Sequence, residues 1–242
     1  MNVAVIFAGG SGTRMNTKDK PKQFLMVHGK PIIVHTIEIF ERHPDIDGII
    51  VVCIENWIEY MEEMKYRYRL DKIGKIVAGG ETGQMSIYHG LCAAKEVYGC
   101  GSRAEKTIVL IHDGVRPLID EDTISRNIAS VREKGSAITC APAKETFVLV
   151  DNQEWVTDIP DRARSRVAKA PQSFFLDDIL KYQNMAIEQG ERNMIDSCTL
   201  MRHFNVPLAI VDGSYENIKI TTPDDFYMFR ALYDARENQQ LE

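Results

Sequence analysis

Apolar and polar positions alternate in blocks along most of the chain. An apolar run at 3–7 ends in Ala8-Gly9-Gly10, and 32–40 then carries apolar residues at helical spacing. The run GIIVVCI at 48–54 is apolar throughout, as expected of a strand covered on both faces. A polar helical stretch (57–70), a short strand (75–78), a helix (86–97) and another fully apolar strand, TIVLI at 107–111, follow in turn. This order predicts an α/β fold, a Rossmann-like, mostly parallel sheet with helices on both faces. In such sheets ligands bind outside the carboxyl ends of the strands. Gly9 and Asp113 each stand just past an apolar strand, which predicts one shared rim.

The rhythm breaks at about 139–170, where short strand-like pieces meet at an Asp151-Asn152 turn. This predicts an inserted β-hairpin arm, either a limb for a partner subunit or a wall of the substrate pocket. A helix at 176–189, a strand at 208–212 and a last helix at 223–236 complete a single domain spanning 1–242.

Composition narrows the function. The 242 residues are 44% hydrophobic, ample for one large core. No run of about 18 uncharged apolar residues is present, so no membrane partner is expected. The opening MNVAVIFAGG reads as a strand and not as a signal peptide. Five scattered cysteines without a C-x-x-C pair point to reduced thiols and a cytoplasmic location. The net charge of −6 argues against a nucleic-acid partner, so an anionic substrate would need a local basic pocket.

Three places offer that chemistry. The loop Ala8-Gly9-Gly10-Ser11-Gly12-Thr13-Arg14 follows the first strand, where close backbone N–H groups can cradle a phosphate. Arg14 and Lys22 add positive charge, and neither a Walker A loop nor G-x-G-x-x-G is present. Gly79-Gly80-Glu81-Thr82-Gly83-Gln84-Met85-Ser86 is a second Gly-rich turn, in which Ser86 could equally cap a helix. At His112-Asp113-Gly114-Val115-Arg116-Pro117, the carboxylate of Asp113 could hold Mg²⁺ against phosphate oxygens, or His112 and Asp113 could be a structural pair.

These blocks, with Pro21-Lys22-Gln23-Phe24 and Asn217-Ile218-Lys219-Ile220-Thr221-Thr222-Pro223, resemble the sugar-phosphate nucleotidyltransferases. Pro-Lys-Gln-Phe is similar to their cytidylyltransferase branch, which acts on ribitol 5-phosphate or 2-C-methyl-D-erythritol 4-phosphate. The resemblance runs from residue 3 to about 231. It implies that Arg14, Lys22 and Lys219 act on the phosphates, and that Asp113 holds Mg²⁺ with Arg116 in support. It further implies nucleotide contacts from Ala8, Gly9, Gly10, Gly12, Gly80, Glu81, Ser86 and Gly114. Gly83 departs from the pattern, standing where the family has an arginine. Thr146, Arg162 and Asp196 would bind the acceptor, the first two across a homodimer built through the hairpin arm. A solvated charge run is the alternative for Arg162, Arg164 and Arg166, and it suits the last two better. Thr222-Pro223 also reads as a plain helix cap.

The expected reaction is cytidylyl transfer from CTP to a polyol phosphate. The segment 157–162 resembles the ribitol 5-phosphate enzymes more than the methylerythritol ones, which implies ribitol 5-phosphate, with methylerythritol phosphate as the alternative. A non-catalytic nucleotide binder would take up CTP without releasing pyrophosphate. A dinucleotide-dependent oxidoreductase is disfavoured by the first loop.

Overall fold

In the computed structural model, which describes residues 1–9, 20–99 and 106–239, the chain opens with strand β1 (Asn2–Ala8). A small hairpin of β2 (Met26–Val27) and β3 (Lys30–Pro31) leads into helix α1 (Ile32–Arg42). Then β4 (Gly48–Cys53), α2 (Ile58–Arg67), β5 (Ile73–Ala78), α3 (Gly83–Tyr98), β6 (Ile108–Asp113) and α4 (Glu121–Lys134) alternate. The remainder comprises β7 (Ser136–Pro142), β8 (Leu149–Val150), β9 (Val156–Asp158), β10 (Arg166–Phe175), α5 (Leu176–Glu188), α6 (Ser197–His203), β11 (Ile210–Asp212) and α7 (Pro223–Gln239).

Seven strands form one sheet in the order β11-β7-β10-β6-β1-β4-β5. Within it β10 runs antiparallel to both its neighbours, and the other paired strands are parallel. Successive β1 residues feed opposite faces. Ala4 and Ile6 join a core with α1, α2 and α4, whereas Val3 and Val5 join one with α3, α5 and α6. Burial on both faces explains why β1, β4 and β6 read as unbroken apolar runs. A third, smaller cluster ties Phe229 of α7 to Ile32, Val27 and Leu118. The mostly parallel sheet with helices on both faces is as the sequence predicts. No helix among the described residues is long and apolar enough to cross a membrane.

The chain leaves β1 first toward β4 and later returns to β6 on its other side. That reversal is the switch point at which open α/β sheets form their binding crevice.

The structure corrects the sequence reading in four places. The arm is shorter than 139–170. Residues 136–142 and 166–175 are full strands of the central sheet, and only 143–165, with the two-stranded β8–β9 ribbon, lie outside it. The Asp151-Asn152 turn is present, with Asp151 Oδ1 accepting from the N–H groups of Gln153 and Trp155 at 2.8 and 3.0 Å. Helix α4 falls where the sequence reading placed nothing. Its buried apolar residues are only Ile124, Ile128 and Val131, but Asp120 caps its start and Gly135, at φ +81°, ends it. Helix α6, seven residues capped by Asp196, likewise falls where the sequence reading placed nothing. Finally, α3 starts at Gly83 with Thr82 as its cap, accepting from Met85 N–H at 3.2 Å, so Ser86 is not the cap.

Candidate active site

The cleft lies at the carboxyl ends of β1 and β6 and has two connected halves. One, of about 440 Å³, is bordered by Ala8, Gly9, Lys22, Gly80, Glu81 and Ser86. The other, of about 250 Å³, is bordered by Arg116, Lys169, Gln172, Asp196 and Ser197. Phe7, Gly83, Asp113 and Lys219 line both, and so form a shared wall.

The first half is shaped by close backbone approach. Ser86 lies in the first turn of α3, where its hydroxyl accepts from the Gly80 N–H at 3.1 Å and donates to the Thr82 carbonyl at 2.9 Å. A Cβ at Gly80 would stand 2.5 Å from Cβ of Met85, and one at Gly9 would stand 3.1 Å from Ser86 Oγ. The first loop therefore meets Ser86, and the second turn meets Met85, at distances that only glycine permits comfortably. Buried Gln23 donates to the Ala8 carbonyl at 2.6 Å, pinning the end of β1 to the segment that carries Lys22. Gly10, Gly12 and Arg14 lie outside the described residues. Gly114 borders neither half. Its N–H donates to the Phe7 carbonyl at 3.0 Å, its carbonyl accepts from Thr36, and its Cα face packs on Ala8 and Ile33.

At the shared wall, Asp113 ends β6 with its side chain only 8% exposed. Arg116 Nε donates to its Oδ2 at 2.7 Å, and Lys219 Nζ meets its Oδ1 at 2.6 Å. Burial alone would raise the carboxyl pKa, but Arg116 and Lys219 together outweigh it and hold the group at about 2. Asp113 is therefore ionised at every physiological pH. Buried His112 shows the opposite balance. Burial dominates and lowers its pKa to about 4, so the ring is neutral. Its Nε2 faces the Arg116 carbonyl at 3.2 Å and its ring packs on Phe40, which makes it a structural residue rather than a base.

Three segments are stitched together behind this wall. Arg116 Nη1 donates to the Asn217 carbonyl at 2.8 Å, Asn217 Nδ2 to the Ala170 carbonyl at 2.7 Å, and Ile220 N–H to the Val115 carbonyl at 3.0 Å. Lys219 is thus carried on a fixed loop while its own side chain remains 42% exposed. That combination suits a cation that leaves Asp113 for an incoming phosphate. The cleft chemistry also fits a hard divalent cation. Asp113 supplies one ionised oxygen donor, and Mg²⁺ characteristically adds waters and substrate phosphates to one or two carboxylates. Among the described residues no group of three or more His, Cys, Asp or Glu ligands forms at the cleft.

The expected acceptor residues divide. Asp196 borders the second half, where it caps α6 through Thr199 N–H at 2.7 Å and accepts from Gln172 at 2.9 Å. Thr146 and Arg162 are exposed on the segment outside the sheet and border neither half. Sequence reasoning passed over Phe7, Lys169, Gln172 and Ser197. A lysine directly before Ala170-Pro171-Gln172, inside an otherwise apolar strand end, was the available signal.

Comparison with known proteins bears on this cleft. A family model described as 2-C-methyl-D-erythritol 4-phosphate cytidylyltransferase matches residues 2–234. A ribitol-5-phosphate cytidylyltransferase of Streptococcus agalactiae is 58% identical over 241 residues, covering 100% of this chain and 99% of that one. A 2-C-methyl-D-erythritol 4-phosphate cytidylyltransferase of Desulforamulus reducens is 39% identical, covering 97% and 96%. The crystal structure of 4-diphosphocytidyl-2C-methyl-D-erythritol synthase from Anaerococcus prevotii superposes with a TM-score of 0.80 at 26% identity, covering 96% of each chain.

Proposed function

The chain belongs to the 2-C-methyl-D-erythritol 4-phosphate cytidylyltransferase family, and from that premise we propose that it transfers the cytidylyl group of CTP to D-ribitol 5-phosphate, releasing pyrophosphate. The observation that carries the reaction type is the shared wall. A fully ionised Asp113 with two cations stands between a glycine-walled half suited to a nucleotide and a side-chain-lined half suited to the acceptor. The acceptor choice rests on relatedness. The 58% identical relative carries the ribitol phosphate name, whereas the methylerythritol phosphate name goes with the 39% identical one.

An oxygen of the acceptor phosphate, already anionic at neutral pH, attacks the α-phosphorus of CTP in line. A bond forms there, the bond to the pyrophosphate oxygen breaks, and the electron pair leaves with pyrophosphate. No base is required, in keeping with neutral, buried His112. The task is to align two polyanions and offset their charge. Lys22 and Lys219 would do so from this chain, with Arg14 joining from the first loop. Asp113 would hold Mg²⁺, which supplies further charge neutralisation at the phosphates. Ala8, Gly9, Gly80, Glu81 and Ser86 would receive the nucleotide, and the cytoplasmic CTP pool would feed the reaction.

The exposed segment supports a homodimer. Val148, Leu149, Val150, Val156 and Ile159 are each at least half exposed, and Trp155 is 71% exposed. Such a ribbon would seat on a second copy and carry Thr146 and Arg162 toward that copy's cleft. Native mass measurement should find a dimer, and Trp155→Glu should weaken it. A monomer at micromolar concentration in the unmodified chain would remove this part of the reading.

The function is tested by pyrophosphate release with four NTPs crossed with ribitol 5-phosphate and methylerythritol 4-phosphate. Release is expected with CTP and ribitol 5-phosphate. Release with methylerythritol phosphate alone would move the acceptor, and no release with CTP and either acceptor would sink the proposal.

A further inference from the structure

The acceptor half of the cleft holds a cation that no motif assigns. Lys169 sits where the ladder between β10 and β7 breaks register, between Ala168 and Gln172. Such an irregularity turns side chains away from their regular alternation, and half-buried Lys169 borders the cavity. Its ammonium donates to the carbonyls of Asn217 at 3.1 Å and Tyr215 at 3.4 Å, out of three N–H donors. Arg116 donates to the same Asn217 carbonyl, so two cations converge on one oxygen. Burial, and after it the positive charges of Arg116 and Lys144, push the Lys169 pKa down, and no carboxylate pairs with it among the described residues.

The neighbouring cations are already committed. Arg116 is held by Asp113 and Asn217, and Lys144 Nζ packs 3.6 Å from the centre of the Tyr215 ring. A half-buried lysine without a counter-ion, facing a cavity, is a site prepared for an anion. A second observation points the same way. Ser197 borders the same cavity, is 1% exposed, and its hydroxyl has no hydrogen-bond partner among the described residues. Buried hydroxyls are nearly always paired, and a ligand oxygen would complete this one.

We propose that Lys169 and Ser197 form the acceptor subsite within this chain, the Lys169 ammonium holding a non-attacking oxygen of the acceptor phosphate and the Ser197 hydroxyl a hydroxyl of the polyol. The inference rests on the cytidylyl-transfer reading of the cleft. Lys169 keeps its proton throughout. It offsets one acceptor charge while another oxygen of that phosphate forms the new bond. Its contribution therefore falls on the acceptor and not on CTP.

Steady-state kinetics of Lys169→Met, Lys169→Arg and Ser197→Ala test this, with each substrate varied in turn and folding checked by circular dichroism. Lys169→Met should raise the acceptor KM roughly 10- to 100-fold, the scale of a lost charged hydrogen bond, with the CTP KM little changed. Lys169→Arg should recover most of that loss, and Ser197→Ala should give a smaller rise of the same kind. An unchanged acceptor KM in folded Lys169→Met, or equal rises for both substrates, would overturn the subsite. The unmodified chain, assayed beside the variants with both polyol phosphates, reports separately on the choice of acceptor. Variants are then read with whichever acceptor turns over. If neither does, calorimetric titration with ribitol 5-phosphate decides: binding that Lys169→Met loses supports the subsite, and binding that it keeps, or none to the unmodified chain, overturns it.

Discussion

On one side of Asp113 the cleft is bounded by Ala8, Gly9, Gly80 and Ser86, where two backbone turns close on a single hydroxyl. On the other it is bounded by Lys169, Gln172, Asp196 and Ser197, side chains from a bulged antiparallel strand and the start of a short helix. The first half gains its shape from the absence of side chains at two turns. The second gains it from charged and polar groups brought together by topology. A glycine turn can be read locally, whereas a constellation spread over β10, α6 and the loop carrying Lys219 exists only once β10 pairs with β6.

The wall common to both halves gives the largest expected effect. Asp113→Asn removes the charge that holds Arg116 and Lys219 in place. It should lower kcat by roughly 100- to 1000-fold, the scale of losing one electrostatic element of a transition-state site. Leaving Arg116 uncompensated should also cost about 3 kcal/mol, visible as a fall in Tm. A defect confined to one substrate would mean that the halves do not share this wall.

The pH dependence of stability separates Asp113 from its neighbour. With a folded pKa near 2 against 3.8, Asp113 stabilises fully above about 4 and loses that contribution as pH falls toward 2. His112, lowered from 6.5 to about 4, is protonated more readily unfolded than folded, so its penalty grows as pH falls from 6.5 to 4. His112→Asn should flatten the Tm profile in that upper window only. An unchanged slope there would mean that the ring is not kept neutral by the fold.

The nucleotide half is probed by Gly80→Ala. The new Cβ would lie 2.5 Å from Cβ of Met85, so the turn must move and the Gly80 N–H must leave Ser86. We expect the CTP KM to rise roughly tenfold, about 1.4 kcal/mol, with the acceptor KM unchanged. A matching rise for the acceptor would show that the turns shape both halves, and the division drawn above would fail.

The same division explains what the sequence disclosed. Strands β1, β4 and β6 are buried on both faces, so they appear as apolar runs, and their ends mark the rim. Gly9, Gly80, Asp113 and Lys219 border the cleft at motif positions. Gly114, in the same motif as Asp113, is taken up by packing between Phe7, Ala8 and Ile33. Helix α4 is hard to read because only three buried apolar residues in fourteen give it a faint stripe. Strand β10 straddles the end of the expected arm because its first half is exposed and its second half buried. Lys169 falls at that change of environment, which is why its role depends on the fold and not on a spacing.

The smallest expected effect comes from Gly83, the residue of the shared wall at which the sequence resemblance leads one to expect an arginine. It opens α3, and a Cβ there would meet nothing within 4 Å, so a side chain can start from this position without a clash at its first atom. Gly83→Arg should leave Tm almost unchanged. Relief of glycine's backbone freedom favours the variant, while a cation at a helix start opposes the helix dipole, each by well under about 1 kcal/mol. The added charge should lower the CTP KM by about threefold, the scale of an exposed ion pair, and titration of CTP in both chains measures it. A fall in the acceptor KM alone would place position 83 with Lys169 and shift the boundary between the halves from Asp113 toward Gly80. A fall in the CTP KM alone would fix that boundary on the acceptor side of Gly83, and leave Asp113 and Lys219 as the charged groups, among the described residues, that both substrates meet on this wall.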